Sequence, residues 1–316
     1  MLTTNTTPML EVQGVTVVYS PEPLIIEQYV EQFSRLDKLS VSTATPNDIV
    51  IKQIRENTKR NHEWLHNLSE FRQVKTDKIA LVGGGPSLAD TIKELKEFDT
   101  IVACGSVHDY LMNNGVIPTY TVVCDPDAIS ATYLKNKSEQ TKFLIATCCH
   151  KDVFDQLKEN QIYLWHCYSD DNVEETKKIT EEVRPPVEFH AIDGGCTVGL
   201  RAISIAIMFG YTNIHFFGFD SCIKNDKYYA YDLNSQKELE GIKGEKGNIF
   251  RIKPGFDQPG ETEYTVVGYQ LAQVQHFKDF YIAYKQFFTP TFHGEGLLKR
   301  TYELILEDIA RESKIQ

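Results

Sequence analysis

The sequence predicts an α/β fold: a Rossmann-like, largely parallel sheet with helices on both faces, an N-terminal helical arm and a lid-like insertion. Three observations lead there. From Lys78 onward, short apolar runs alternate with amphipathic ones, the pattern of strands feeding helices in a covered sheet. The apolar run Ile79-Ala80-Leu81-Val82 opens directly into Gly83-Gly84-Gly85-Pro86-Ser87, where glycine frees the backbone and proline sits at a possible helix start. A second glycine turn, Asp193-Gly194-Gly195-Cys196-Thr197-Val198-Gly199, opens a strongly apolar helical stretch that runs to Phe209 and stops at Gly210.

In chain order, residues 13–19 read as a strand and 21–33 as a short helix. Over 47–71, Ile51, Ile54, Trp64, Leu65, Leu68 and Phe71 predict a longer amphipathic helix with a charged outer face. Residues 1–75 are therefore expected to form an arm that packs on the main domain or on a partner subunit. The strands expected in residues 76–297, the nucleotide-binding catalytic domain, are 79–82, 100–103, 120–123, 142–146, 162–165, 187–189 and 214–217. Helices are expected at 88–98, 128–136, 153–159 and 174–182. Residues 224–268 are rich in Tyr, Gly and charge with weak periodicity, and read as the lid or insertion. An aromatic-rich helix follows at 270–288, then a compact turn at 291–297. A last helix at 298–309 lies within the C-terminal segment 298–316.

Composition narrows the partners. The 316 residues carry a formal net charge of −11, which argues against duplex nucleic acid because neutralising phosphates needs a basic surface. Residues 1–12 lack the basic start and apolar stretch of a signal peptide, and no apolar run reaches the length of a membrane helix. Seven cysteines without paired metal-type spacing read as reduced thiols, so a cytoplasmic protein is expected. The aromatic-rich C-terminal helices leave room for a homo-oligomer.

In parallel sheets ligands gather at the carboxyl ends of strands, so the residues after each apolar run are the candidates. Gly83, Gly84, Gly85, Pro86 and Ser87 follow the first strand and are expected to cradle a phosphate with backbone N–H groups. The spacing is neither G-x-G-x-x-G nor the phosphate loop ending in Gly-Lys-Ser/Thr. Gly105 and Ser106 follow the second strand, and Asp125-Pro126-Asp127 the third. Asp220 follows the strand at 214–217. Gly194, Gly195, Thr197 and Gly199 form a candidate second anion cradle at a helix N-terminus. Asp125 and Asp127 are candidate Mg²⁺ ligands; the alternatives are a ribose contact for Asp125 and a helix cap for Asp127. Asp220 either orients its loop or contacts ligand. His293, in Phe-His-Gly-Glu-Gly, is the candidate general base, with a structural hydrogen bond as its alternative role and His150 as a second candidate.

The Gly-Gly-Gly-Pro-Ser-Leu loop at 83–88, the Asp125-Pro126-Asp127 strand end and the stretch from Gly194 to Asp220 resemble the MptE-like family. That family includes 6-hydroxymethylpterin diphosphokinases and the motility accessory factors thought to glycosylate flagellin. The pattern Thr197-Val198-Gly199, Gly210-Tyr211 and Gly218-Phe219-Asp220, followed by Tyr229-Ala230-Tyr231-Asp232, is also similar to bacterial lipooligosaccharide sialyltransferases. The resemblance implies that Gly83 to Ser87 hold a nucleotide's phosphate or ribose, with Thr197 and Gly199 opposite. It also implies that Tyr229 hydrogen-bonds the departing phosphate. The sialyltransferases carry a catalytic histidine before their late helix, where this chain reads Tyr264-Thr265-Val266-Val267-Gly268-Tyr269. The diphosphokinases carry Asp-x-Asp-Gly, where this chain has Ala128 in place of the glycine.

The expected activity is thus a nucleotide-sugar glycosyltransferase of the motility-accessory type, joining a CMP-sugar or nucleoside-diphosphate sugar to a hydroxyl acceptor. The alternatives are an Mg²⁺-dependent diphosphokinase acting from ATP on a hydroxymethylpterin-like alcohol, and a non-catalytic nucleotide-binding assembly protein.

Overall fold

The computed structural model describes residues 9–12, 15–18, 45–69, 75–232, 249–254 and 261–312. Its centre is a nine-stranded sheet made of β3 (Glu63–Trp64), β4 (Lys75–Val82), β5 (Ile101–Cys104), β6 (Tyr120–Val123), β7 (Lys142–Ala146), β8 (Ile162–Cys167), β9 (Ala191–Ile192), β10 (Tyr211–Phe217) and β13 (Thr289–His293). The order is β13-β10-β4-β5-β6-β7-β8-β3, with β9 also on β8, and every one of these pairings is parallel. Two small antiparallel pairs stand apart: β1 (Met9–Val12) with β2 (Val15–Val18), and β11 (Ile249–Ile252) with β12 (Tyr264–Val267).

The central strand β4 shows why the sheet is covered on both sides. Ile79 and Leu81 face one apolar cluster while Ala80 and Val82 face another, and all four are fully buried. Alternation with period two thus divides a continuous apolar run between two cores. One cluster is closed by α6 (Val198–Met208), α7 (Gly268–Tyr284) and α8 (Leu297–Glu312), through Leu200, Ile203, Leu271, Phe277 and Leu298. The other is closed by α2 (Leu88–Thr91), the 3₁₀ turn Ile92–Glu97 that continues it, and α3 (Val107–Asn113).

The topology positions the site. From β4 the chain steps outward through β5, β6, β7 and β8. It then returns through α6 to place β10 on the opposite side of β4. The switch point therefore lies between the carboxyl ends of β4 and β10, where a doubly wound sheet opens a crevice.

Several elements differ from the sequence expectation. The helix expected over 47–71 ends as α1 (Asn47–Asn57); no apolar residue occurs between Ile54 and Trp64, so that stretch has nothing to bury. Trp64 instead joins the sheet edge in β3. The helix expected at 88–98 is one α-turn followed by 3₁₀ geometry, consistent with buried Ile92, Leu95 and Phe98 recurring every three residues. Residues 187–189 are not a strand; β9 takes that place two residues later. The turn expected at 291–297 begins as strand β13, whose Pro290 is tolerated because the strand is an edge. The stretch 128–136 forms a 3₁₀ helix over Ala128–Tyr133, and the helices expected at 153–159 and 174–182 are α4 (Lys151–Gln156) and α5 (Val173–Glu182). The helix expected at 21–33 lies outside the described residues, as does much of 224–268.

Candidate functional site

At the switch point a cavity of about 240 Å³ is lined by four strand-end loops and by the start of α6. The glycine loop after β4 forms one wall. Gly83 N–H donates to Phe217 O at 2.8 Å and Gly85 N–H to Gly218 O at 2.8 Å, tying the loop to the turn after β10. Ser87 N–H donates to Asp220 Oδ1 at 3.1 Å, and Ser87 Oγ donates to Oδ2 at 2.9 Å. The sequence expects this loop to converge its N–H groups on an anion, yet most of them are used within the protein. Leu88 N–H goes to Gly85 O and Pro86 has none, which leaves Gly84 as the loop's donor without a partner among the described residues. Glycine is needed here for close approach. A Cβ on Gly84 would lie 2.5 Å from Tyr231 Oη and 2.8 Å from Tyr229 Cδ1, and one on Gly85 would collide with the Asp220 carboxylate.

Asp220 is buried and does not line the cavity. Burial raises its pKa to about 6, against the lowering effect of its two bonds from Ser87. It orients the glycine loop from behind.

The opposite wall is the first turn of α6. Thr197 caps it, its Oγ1 accepting from Leu200 N–H at 3.4 Å, and Thr197, Val198 and Gly199 all line the cavity. The first N–H groups of an α-helix have no acceptor within it, so Val198 and Gly199 bring the positive end of an 11-residue helix to this wall. Gly194 and Gly195 do not line the cavity. The first packs on the backbone of Arg201 and the second on the ring of His276, whose Nδ1 also accepts Cys196 N–H at 3.1 Å.

Gly105, Ser106 and Asp125 complete the wall from β5 and β6. Ser106 Oγ and Tyr231 Oη are 2.7 Å apart, which fastens the tyrosine segment over the glycine loop; Ala230 N–H adds a bond to Gly84 O at 2.9 Å. Tyr229 lines the cavity within this segment. Asp125 lines it as well, with Oδ1 accepting Asp127 N–H at 2.9 Å. Asp127 points away from the lining and caps the following 3₁₀ helix, accepting Ile129 N–H at 2.8 Å. Among the described residues no group of three His, Cys, Asp or Glu side chains is arranged to hold a metal ion.

His293 is not brought to the cavity. It ends the edge strand β13, stacks on Phe217 with ring centroids 3.9 Å apart, and bonds Glu94 Oε2 at 2.7 Å and His215 Nδ1 at 2.9 Å. His150 caps a helix, its Nδ1 accepting Asp152 N–H at 3.3 Å. Sequence reasoning also missed parts of the lining: Phe219, Ser221, Gln270 and Gln273. Ser221 Oγ donates to Gln273 Oε1 at 3.1 Å, and Gln270 Oε1 accepts Val267 N–H at 3.1 Å at the start of α7. The two glutamines, three apart and therefore on one helical face beside Tyr269, were the available signal.

Comparison with known proteins agrees with this architecture. The family model described as 6-hydroxymethylpterin diphosphokinase MptE-like matches residues 51–226, and the chain belongs to that family. Among solved structures, the MAf glycosyltransferase of Magnetospirillum magneticum AMB-1 aligns with a TM-score of 0.54 at 14% identity, over 87% of this chain and 41% of its own. This chain thus spans less than half the length of that protein. The sialyltransferase CstII of Campylobacter jejuni, solved with a substrate analogue, cytidine-5'-monophosphate, aligns with a TM-score of 0.36 at 15% identity, over 72% of this chain and 85% of its own. No curated protein matches the sequence. Among the described residues no helix is long and apolar enough to cross a membrane.

Proposed function

We propose that the chain is a nucleotide-dependent transferase, a nucleotide-sugar glycosyltransferase of the motility-accessory type. The observation that carries this reading is the convergence of the glycine loop, the α6 N-terminus and the Tyr229 segment on one cavity at the switch point. In this reading a nucleotide phosphate lies between Gly84 and the first turn of α6, taking the N–H groups of Gly84, Val198 and Gly199. Asp125 bonds a ribose hydroxyl. The acceptor oxygen attacks the anomeric carbon, the bond from that carbon to the phosphate oxygen breaks, and Tyr229 donates its hydroxyl to the phosphate as charge grows there. No histidine lines the cavity among the described residues, so the acceptor's proton is assigned to solvent water rather than to His293. Nor does any Lys or Arg line it among them, which favours a donor with one phosphate, a CMP-sugar, over a nucleoside-diphosphate sugar.

The description of the family model favours a second reading, diphosphoryl transfer from ATP. With Asp125 as the carboxylate on the cavity wall, Mg²⁺ would be held mainly by the nucleotide's own phosphates and water. Thermal unfolding with CMP, CDP, UDP, GDP, ADP and ATP, each with and without Mg²⁺, separates the two. Ligand at a hundredfold over its dissociation constant adds about 2.7 kcal/mol to stability. The expected result is a metal-independent shift with CMP, lost in Gly84→Val, whose side chain would displace Tyr229 and Tyr231 while circular dichroism stays native. A shift that needs ATP and Mg²⁺ selects the second reading. No shift with any nucleotide removes both.

A further inference from the structure

Four cysteines outside these roles gather at the carboxyl ends of three adjacent strands. Cys124 follows β6, Cys148 and Cys149 follow β7, and Cys167 is the last residue of β8. Pairing of β7 with β8 continues to Thr147, whose N–H donates to Trp165 O at 2.9 Å, so the chain delivers Cys148 beside Cys167. Cys148 Sγ donates to Cys124 O at 3.1 Å, Cys149 Sγ to Val123 O at 3.5 Å and Cys167 Sγ to Tyr168 O at 3.9 Å. Arg201, in the second turn of α6, is anchored by Nη1 donating to Ile192 O at 2.8 Å, and its charge acts on all three sulfurs. Ile192 is registered opposite Cys167, so the guanidinium sits beside that residue, where it suits a thiolate and repels a metal cation. Cys167 is the thiol set up as the anion. The neighbouring Cys124 and Cys148 thiols, then Arg201, hold it well below the usual thiol range, while those two thiols are pushed up. Cys124 also lines the cavity, which gives a small solute a route to the cluster.

We propose that Cys167, together with Cys124 and Cys148, is a peroxide-reactive thiol site that closes a disulfide behind the cavity wall. The Cys167 sulfur attacks one peroxide oxygen: an S–O bond forms, the O–O bond breaks, and hydroxide leaves and is protonated to water. The sulfur of Cys124 or Cys148 then attacks the Cys167 sulfenic acid, forming S–S and breaking S–O. The thiol proton and the departing hydroxide make a second water. Two thiols and one hydrogen peroxide thus yield one disulfide and two waters. Cys148 follows the strand paired directly with that of Cys167, and residues side by side on paired strands lie within the span of a disulfide, so the second step needs no reordering of the strands.

The test treats the reduced full chain with one equivalent of hydrogen peroxide, quenches it, blocks remaining thiols by alkylation in denaturant, and maps the peptides without reduction. Cys167 is expected to be linked to Cys124 or Cys148 within one chain. Cys104 and Cys222, whose thiols burial pushes up to about 12 and about 11, are expected to be alkylated instead. Cys167→Ser should abolish the internal disulfide, and Arg201→Gln should slow peroxide consumption at least tenfold. Should Arg201→Gln not fold, the map of the unaltered chain decides alone. Cys167 remaining free while other cysteines oxidise, crosslinks only between chains, or an undiminished disulfide in Cys167→Ser would each overturn the proposal. None of these readouts depends on the transferase reading.

Discussion

At the scale of single residues, Asp220 carries the most testable electrostatics. Its carboxylate is 3% exposed, and burial raises its pKa from 3.8 to about 6 while Ser87 opposes the rise. The folded state therefore binds this proton more tightly than the unfolded chain does. The stabilisation is fully present below about pH 4 and is lost as pH rises through about 6. A shift of this size corresponds to about 3 kcal/mol. Asp220→Asn cannot titrate, so its stability provides the reference. The stability of the native protein minus that of the variant, from urea unfolding, is expected to grow by about 2.4 kcal/mol between pH 7 and pH 4, most of the full effect. A difference that stays flat would mean that the carboxylate is not governed by burial. This residue also shows how far the sequence reaches. Gly218-Phe219-Asp220 was visible as a strand end, but its contact lies 133 positions away in the chain, at Ser87. Nothing in local pattern decides between a ligand contact and a bond behind the loop.

At the scale of elements, what was legible depended on how each element is held. Strands β4, β6 and β7 are buried on both faces, so continuous apolar runs marked them within a few residues. Helix α6 announced itself by its apolar run, Thr197 and Gly210. Strand β13 was hidden because an edge strand needs apolar contact on fewer sides, and Thr289, Pro290 and Thr291 look like a turn. That misreading also bears on His293, which falls within a compact turn when the segment is read without its partner strand. Within the strand, His293 is held by the ring of Phe217 and the carboxylate of Glu94. Replacing it with alanine removes one stacked pair, an exposed hydrogen bond to Glu94 and a half-buried one to His215, an expected loss of about 2–3 kcal/mol in unfolding experiments. Nucleotide affinity, measured by calorimetry, is expected to stay within twofold, because the side chain does not reach the cavity. A collapse in affinity at unchanged stability would return His293 to the site.

At the scale of the whole molecule, charge and topology pull in opposite directions. The chain carries a net charge of −11, and among the described residues the cavity is lined by no Lys or Arg. In the proposed reading a nucleotide approaches this cavity against the net charge of the protein and is held at the end by short-range donors: backbone N–H groups, a tyrosine hydroxyl and the α6 dipole. Long-range repulsion is screened by salt over a Debye length of about 10 Å at 0.1 M, whereas bonds made inside a partly closed cavity are screened much less. The usual sign of salt dependence for phosphate binding should therefore be reversed. Raising NaCl from about 10 mM to about 100 mM, which shortens the Debye length from roughly 30 Å to 10 Å, is expected to speed association of CMP without raising its dissociation rate. Stopped-flow fluorescence of the cavity tyrosines would follow both rates. A phosphate clamp built from lysine or arginine predicts the opposite, an association rate that falls as salt rises. That outcome would mean that cations from elsewhere in the chain close on the ligand, and the donor would then no longer be restricted to a single phosphate.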